Sequence, residues 1–114
     1  MKKIVFVIIY TNDYEILDIP LTFNDCYIAL NNLLEEQVKN DLKTSSVNDL
    51  LRYHMGLGMW IRNNWIIQAP HSRIAALFLE NDARQMDDIS QAIIIGYHFY
   101  LNKIEKTIEE LLKL

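Results

Sequence analysis

Apolar residues recur along the chain in two ways. Over residues 1–10, Met-Lys-Lys-Ile-Val-Phe-Val-Ile-Ile-Tyr, they run unbroken and are rich in β-branched types, which predicts a buried strand over 3–10. A lone strand has no hydrogen-bond partners. Trp65-Ile66-Ile67-Gln68 is the comparable run in the chain, and self-pairing across a dimer is the other solution. Two lysines before an apolar run also imitate a signal peptide. The run is short, however, lacks a small-residue cleavage site after it, and cannot span a bilayer.

From Thr22 onward the pattern is helical. Thr22 with Asp25 approximates a capping box, and Cys26, Leu30, Leu33 and Leu34 follow at helical spacing. Residues 35–43 are charged, with Val38 and Leu42 as apolar contacts, and predict a short surface helix. Ser46 with Asp49 repeats the capping signature and starts a helix near Val47 that runs to Asn63. The chain is then expected to be extended as far as Pro70, and helical from Ser72 to about Glu80. Asp87 or Asp88 caps a further helix with a seam of Ile89, Ile93, Gly96, Tyr97, Tyr100 and Leu101. Beyond Lys103, Ile104, Ile108, Leu111 and Leu112 predict an amphipathic helical extension with a Lys106–Glu110 pair. The expected fold is mainly α: one domain over 1–114, a compact bundle of four to five helices around the helix at 47–63, with a short N-terminal β-strand.

Residues 53–65, Tyr-His-Met-Gly-Leu-Gly-Met-Trp-Ile-Arg-Asn-Asn-Trp, hold both tryptophans and two of the three glycines. On a helix, His54, Gly58, Arg62 and Trp65 share a quadrant with Leu51. Apolar residues occupy much of the remaining circumference, which predicts a helix surrounded by protein. Glycine costs a helix interior about 1 kcal/mol relative to alanine, so Gly56 and Gly58 imply close approach of a backbone or ligand, or else a turn that breaks the helix. Asn63 and Asn64 are poor helix formers; one of them could end the helix as a left-handed cap, or they could present amides to a ligand.

This block resembles the hallmark of a family of small, uncharacterised bacterial domains. The resemblance continues through Ser72-Arg73, Asp87-Asp88-Ile89-Ser90 and Tyr97-His98-Phe99-Tyr100-Leu101, over about residues 20–102. It departs from the family pattern between Trp65 and Ser72, where Ile-Ile-Gln-Ala-Pro-His replaces a Gly-rich link. The resemblance implies a domain boundary and candidate positions, and no activity.

Composition narrows the partners. Of the 114 residues, 51% are hydrophobic and 23% charged, and the net charge of −4 argues against general nucleic-acid binding. The one cysteine, Cys26, excludes an internal disulfide and a Cys-rich metal site and suits the cytoplasm. The histidines lack metal-ligand spacing, so no metal and no cofactor are expected. No membrane partner is expected either.

The candidate ligand-binding residues are His54, Gly58, Arg62, Asn63, Trp65, Ser72, Arg73 and His98. His71-Ser72-Arg73 falls at a helix N-terminus, a natural anion site. Arg62 and His54 could complete a cationic pocket walled by Trp65 and Tyr97. Alternatively, Arg62 and Arg73 pair with Asp87, Asp88 or helix C-terminal carbonyls and tie helices together. His54 and His98 could transfer protons, yet no nucleophile or carboxylate pair accompanies them, and a histidine hydrogen-bonded to backbone or carboxylate is the plainer alternative. The leading expectation is a non-enzymatic binding protein for a small anionic or nucleotide-like ligand, or for a protein partner in the manner of immunity and anti-defence inhibitors. A small enzyme using His54 or His98, or a purely structural domain, are the alternatives. A homodimer through the N-terminal strand or the C-terminal helix is a further possibility.

Overall fold

A computed structural model describes residues 22–67 and 86–114. They form α1 (Phe23–Leu33), α2 (Glu36–Thr44), a long helical run α3 (48–67), α4 (Met86–Leu101) and a short α5 (Ile108–Leu112). The two predicted caps are present. Thr22 Oγ1 accepts from the Asp25 N–H at 3.0 Å, and Ser46 Oγ accepts from the Asp49 N–H at 3.2 Å. Each satisfies one of the amide donors that a helix start leaves unpaired.

The bundle is organised around α4, not around the helix at 47–63. All the other described helices pack on α4. Ile89, Ser90, Ala92, Ile93, Ile94, Ile95 and Tyr97 are buried, so the burial goes all round the helix. No charged residue stands between Asp88 and Lys103, and a helix without a charged face has nowhere to meet water. α1 is fastened to it by Asn31, whose Oδ1 accepts from the Tyr97 hydroxyl at 2.7 Å. Close packing continues at Gly96, where a Cβ would lie 2.1 Å from the Tyr27 hydroxyl oxygen.

α3 is continuous through both glycines. It starts with 3-10 turns (Asn48–Tyr53), widens to π turns (His54–Gly58), narrows to one α turn (Met59–Ile61) and widens again (Arg62–Ile67). Tyr53, Gly58 and Arg62 all keep right-handed helical backbone, and among the described residues no glycine has a positive φ. The turn-and-break alternative therefore fails. So does the left-handed cap at Asn63 or Asn64, since the helix runs on to Ile67 and Asn64 Nδ2 donates to the Trp60 carbonyl at 2.9 Å.

The β element of the expected fold is also corrected. No strand occurs among the described residues. Residues 65–67, the expected pairing partner, are helical, which spends their backbone groups within α3. The segment 3–10 itself lies outside the described residues, as does the expected helix from Ser72 to Glu80.

The C-terminal extension is not one helix either. α4 closes with a Schellman motif: the Ile104 N–H reaches the Phe99 carbonyl at 2.9 Å and the Lys103 N–H reaches that of Tyr100 at 3.0 Å. Lys103 takes the left-handed position, φ 63°, that glycine usually fills. Thr107 and Glu110 then make a capping box that opens α5. The Glu110 carboxylate accepts from the Thr107 N–H at 2.8 Å, and Lys106 lies over the Phe99 ring at 5.0 Å, so the expected Lys106–Glu110 pairing is replaced by the cap. Because a β-carbon is strained at positive φ, Lys103→Gly is expected to raise stability by about 0.5–1 kcal/mol, readable as an increased urea midpoint with unchanged slope.

Candidate functional site

The predicted residues of the central block meet the first turn of α4. Arg62 is one helical turn beyond Gly58 and folds back over it, so that a Cβ on Gly58 would sit 3.1 Å from Arg62 Nη1. Gly58 thus makes room for a guanidinium of its own helix. Arg62 Nη1 donates to Ser90 Oγ at 2.8 Å and Nη2 donates to the His54 carbonyl at 3.2 Å. Its Nε lies 3.5 Å from Asp87 Oδ1, and the side chain is 11% exposed. Ser90, fully buried, in turn donates a hydrogen bond to the Asp87 carbonyl at 3.2 Å. The His54 ring is half-buried at the edge of the cluster, its Nε2 4.0 Å from Asp87 Oδ2. Arg62 therefore ties α3 to α4, with three edges of its guanidinium engaged by protein.

The other candidates lie elsewhere. Trp65 is 1% exposed and meets Trp60 edge-on at 5.4 Å, a core ring and not a wall open to solvent. Asn63 is exposed. His98 is two turns along α4 from Ser90, and its Nδ1 donates to the Leu42 carbonyl at 2.8 Å, holding the end of α2. It shares no site with His54. Ser72 and Arg73 lie outside the described residues, and with them the expected helix-terminus anion site. Cys26 is a fully buried free thiol, and burial raises its pKa far above the usual thiol value. No group of His, Cys, Asp and Glu among the described residues could hold a metal ion.

Two features escaped the sequence reading. The first is a cluster between α2 and α3. Arg52 Nη2 donates to Asp41 Oδ2 at 2.7 Å and to Ser45 Oγ at 2.9 Å, and the Tyr53 hydroxyl donates to the same carboxylate oxygen. These donors, Tyr53 first and Arg52 next, hold the Asp41 carboxyl below its ordinary value. Burial, joined by the Asp41 hydrogen bond, pushes the Tyr53 phenol up to about 12. A carboxyl whose folded pKa is depressed adds stability above its unfolded value and loses it as pH falls through the folded one. Asp41→Asn is therefore expected to flatten the fall in stability below about pH 4, measured by denaturant titrations at stepped pH.

The second is an apolar row on the outer side of α3. Leu51, Met55 and Met59 are 62%, 66% and 40% exposed, and their i, i+4, i+8 spacing places them on one face. Leu50, Leu57 and Ile61 on the inner side are buried. The expectation of a helix enclosed all round fails here: apolar sequence on both sides of α3 records one buried face and one wet one. Composition alone does not tell the two apart.

The chain belongs to the family described as a domain of unknown function (DUF6794), whose model matches residues 19–101. Comparison with curated proteins and with solved structures yields no match. No helix among the described residues is long and apolar enough to cross a membrane.

Proposed function

We propose that this domain is a non-catalytic binding module that docks another protein on the outer face of α3. One observation carries the reading: three large apolar side chains, Leu51, Met55 and Met59, stand in a row in solvent on a helix whose other face is core. Fully burying such a side chain is worth about 1.5–3 kcal/mol, so covering the row offers a partner several kcal/mol of association energy before entropic costs. Two methionines make the surface adaptable, since an unbranched thioether repacks easily against varied shapes. Arg52, held by Asp41 and Ser45, stands beside Leu51 as a fixed polar edge. An apolar face of a partner helix fits a row of this spacing. The single buried thiol suits a cytoplasmic setting, and an inhibitor of immunity or anti-defence type would act in this way.

Support for a small anionic ligand is weaker. An anion at Arg62 would have to displace Asp87 from a guanidinium that also serves Ser90 and the His54 carbonyl. His98 would have Nε2 alone for proton transfer, its Nδ1 being held by the Leu42 carbonyl. The test is site-specific photo-cross-linking in cells that naturally make the protein. A probe at position 55 is expected to give an adduct of defined mass that a probe at Glu109 does not, and Leu51→Glu should abolish it. No adduct, or the same adduct from both positions, would remove the reading. An adduct of twice the chain mass would identify the partner as a second copy.

A further inference from the structure

Among the described residues, sulfur occurs in two opposite settings. Cys26 is fully buried, and burial raises its thiol pKa, so the thiolate that oxidants attack does not form near neutral pH. Met55 and Met59 are instead 66% and 40% exposed, one turn apart on the outer face of α3 beside Leu51. The buried core is built from leucine, isoleucine, tryptophan, tyrosine, alanine and the cysteine, and neither methionine belongs to it or packs against it. Methionine commonly fills gaps in a core. Here both thioethers are open to a reagent in solution, and the susceptibility of sulfur to oxidation follows exposure.

We infer that Met55 and Met59 form a reversible oxidation site, at which a hydroperoxide turns the outer face of α3 from apolar to polar. The sulfur lone pair attacks one peroxide oxygen, and the O–O bond breaks as the S–O bond forms. The hydroxide that leaves takes the proton of the transferred oxygen and becomes water. Sulfur is oxidised by two electrons, and the peroxide is reduced by two. A dithiol reductase reverses the step, releasing the oxygen as water while its own thiols become a disulfide. Each sulfoxide oxygen is a hydrogen-bond acceptor that costs free energy to take out of water, so of the row only Leu51 would remain apolar. That oxidation switches docking off rests on the reading of the α3 face given above, whereas the chemistry at the two sulfurs does not.

Treatment of the purified chain with hydrogen peroxide, followed by mass mapping of its peptides, tests the site. Met55 is expected to gain one oxygen first and Met59 next, both within about threefold of their rates in the urea-unfolded chain. Protection of either sulfur by about tenfold or more in the folded chain overturns the inference. Oxidation should also shorten retention on a hydrophobic-interaction column, whereas unfolding would lengthen it. The double variant Met55→Leu/Met59→Leu should lose that response, and equal shortening in parent and variant is a second overturning result. For docking, a photo-cross-linking probe at position 51 leaves both methionines in place. Its adduct should fall about tenfold on oxidation, the affinity lost with one buried apolar side chain, and return after treatment with methionine sulfoxide reductases and dithiothreitol. An adduct undiminished by oxidation overturns the switch and leaves the docking reading standing. No adduct even before oxidation removes the docking reading alone, and the mass and retention results still decide the oxidation site.

Discussion

Gly96→Ala is expected to destabilise the domain by about 2 kcal/mol, a fall of roughly 10 °C in Tm for a chain this short. The added carbon would sit 2.1 Å from the Tyr27 hydroxyl oxygen, and both the Tyr27 ring and Leu111 would be 3.0 Å away. Tyr27 has no ready escape, being caged by Phe23, Tyr97 and Tyr100 with ring centroids 6.2, 6.3 and 5.1 Å off. The helix-propensity gain of alanine, about 1 kcal/mol, offsets part of the cost and is already included. Adding Tyr27→Phe removes the closest atom, and the double variant should recover about half of the loss. Strictly additive melting temperatures would mean that the strain is relieved elsewhere.

Arg62→Ala is expected to cost about 3 kcal/mol in denaturant unfolding, because it withdraws charge-assisted donors from the buried Ser90 hydroxyl and the His54 carbonyl together. Arg62→Lys should recover less than half of that, since one ammonium cannot span both acceptors and Asp87. Asp87→Asn should cost under about 1 kcal/mol, because that carboxylate is largely in water. This order assigns the energy to hydrogen-bond geometry. A near-neutral Arg62→Ala would instead free the guanidinium from structure and revive an anion site at His54 and Arg62.

Local signals were legible wherever one helix turn contains the whole interaction. Thr22 with Asp25 and Ser46 with Asp49 could be read because a cap and its amide are three residues apart. The Thr107–Glu110 box was equally local, but a longer amphipathic pattern running across it masked the break. The hub was misplaced because tryptophans and glycines drew weight to 53–65, while the charge-free stretch after Asp88 carried the stronger signal of burial on every side. Arg62 was identified as special, and one of its two proposed roles, pairing with Asp87, matches the geometry. Asp41 meeting Arg52 and Tyr53 left no trace, since nothing in a sequence tells which faces of α2 and α3 oppose.

That α4 follows α1, α2 and α3 in the chain and carries each of them has a consequence for assembly. During synthesis α1, α2 and α3 emerge before the α4 surface on which each of them packs, and local helix propensity alone sustains short helices poorly in water. Consolidation must await the emergence of residues 86–101, so the order of folding runs against the order of translation. A ribosome-bound fragment that stops before α4 should accordingly remain open to proteases and chaperones.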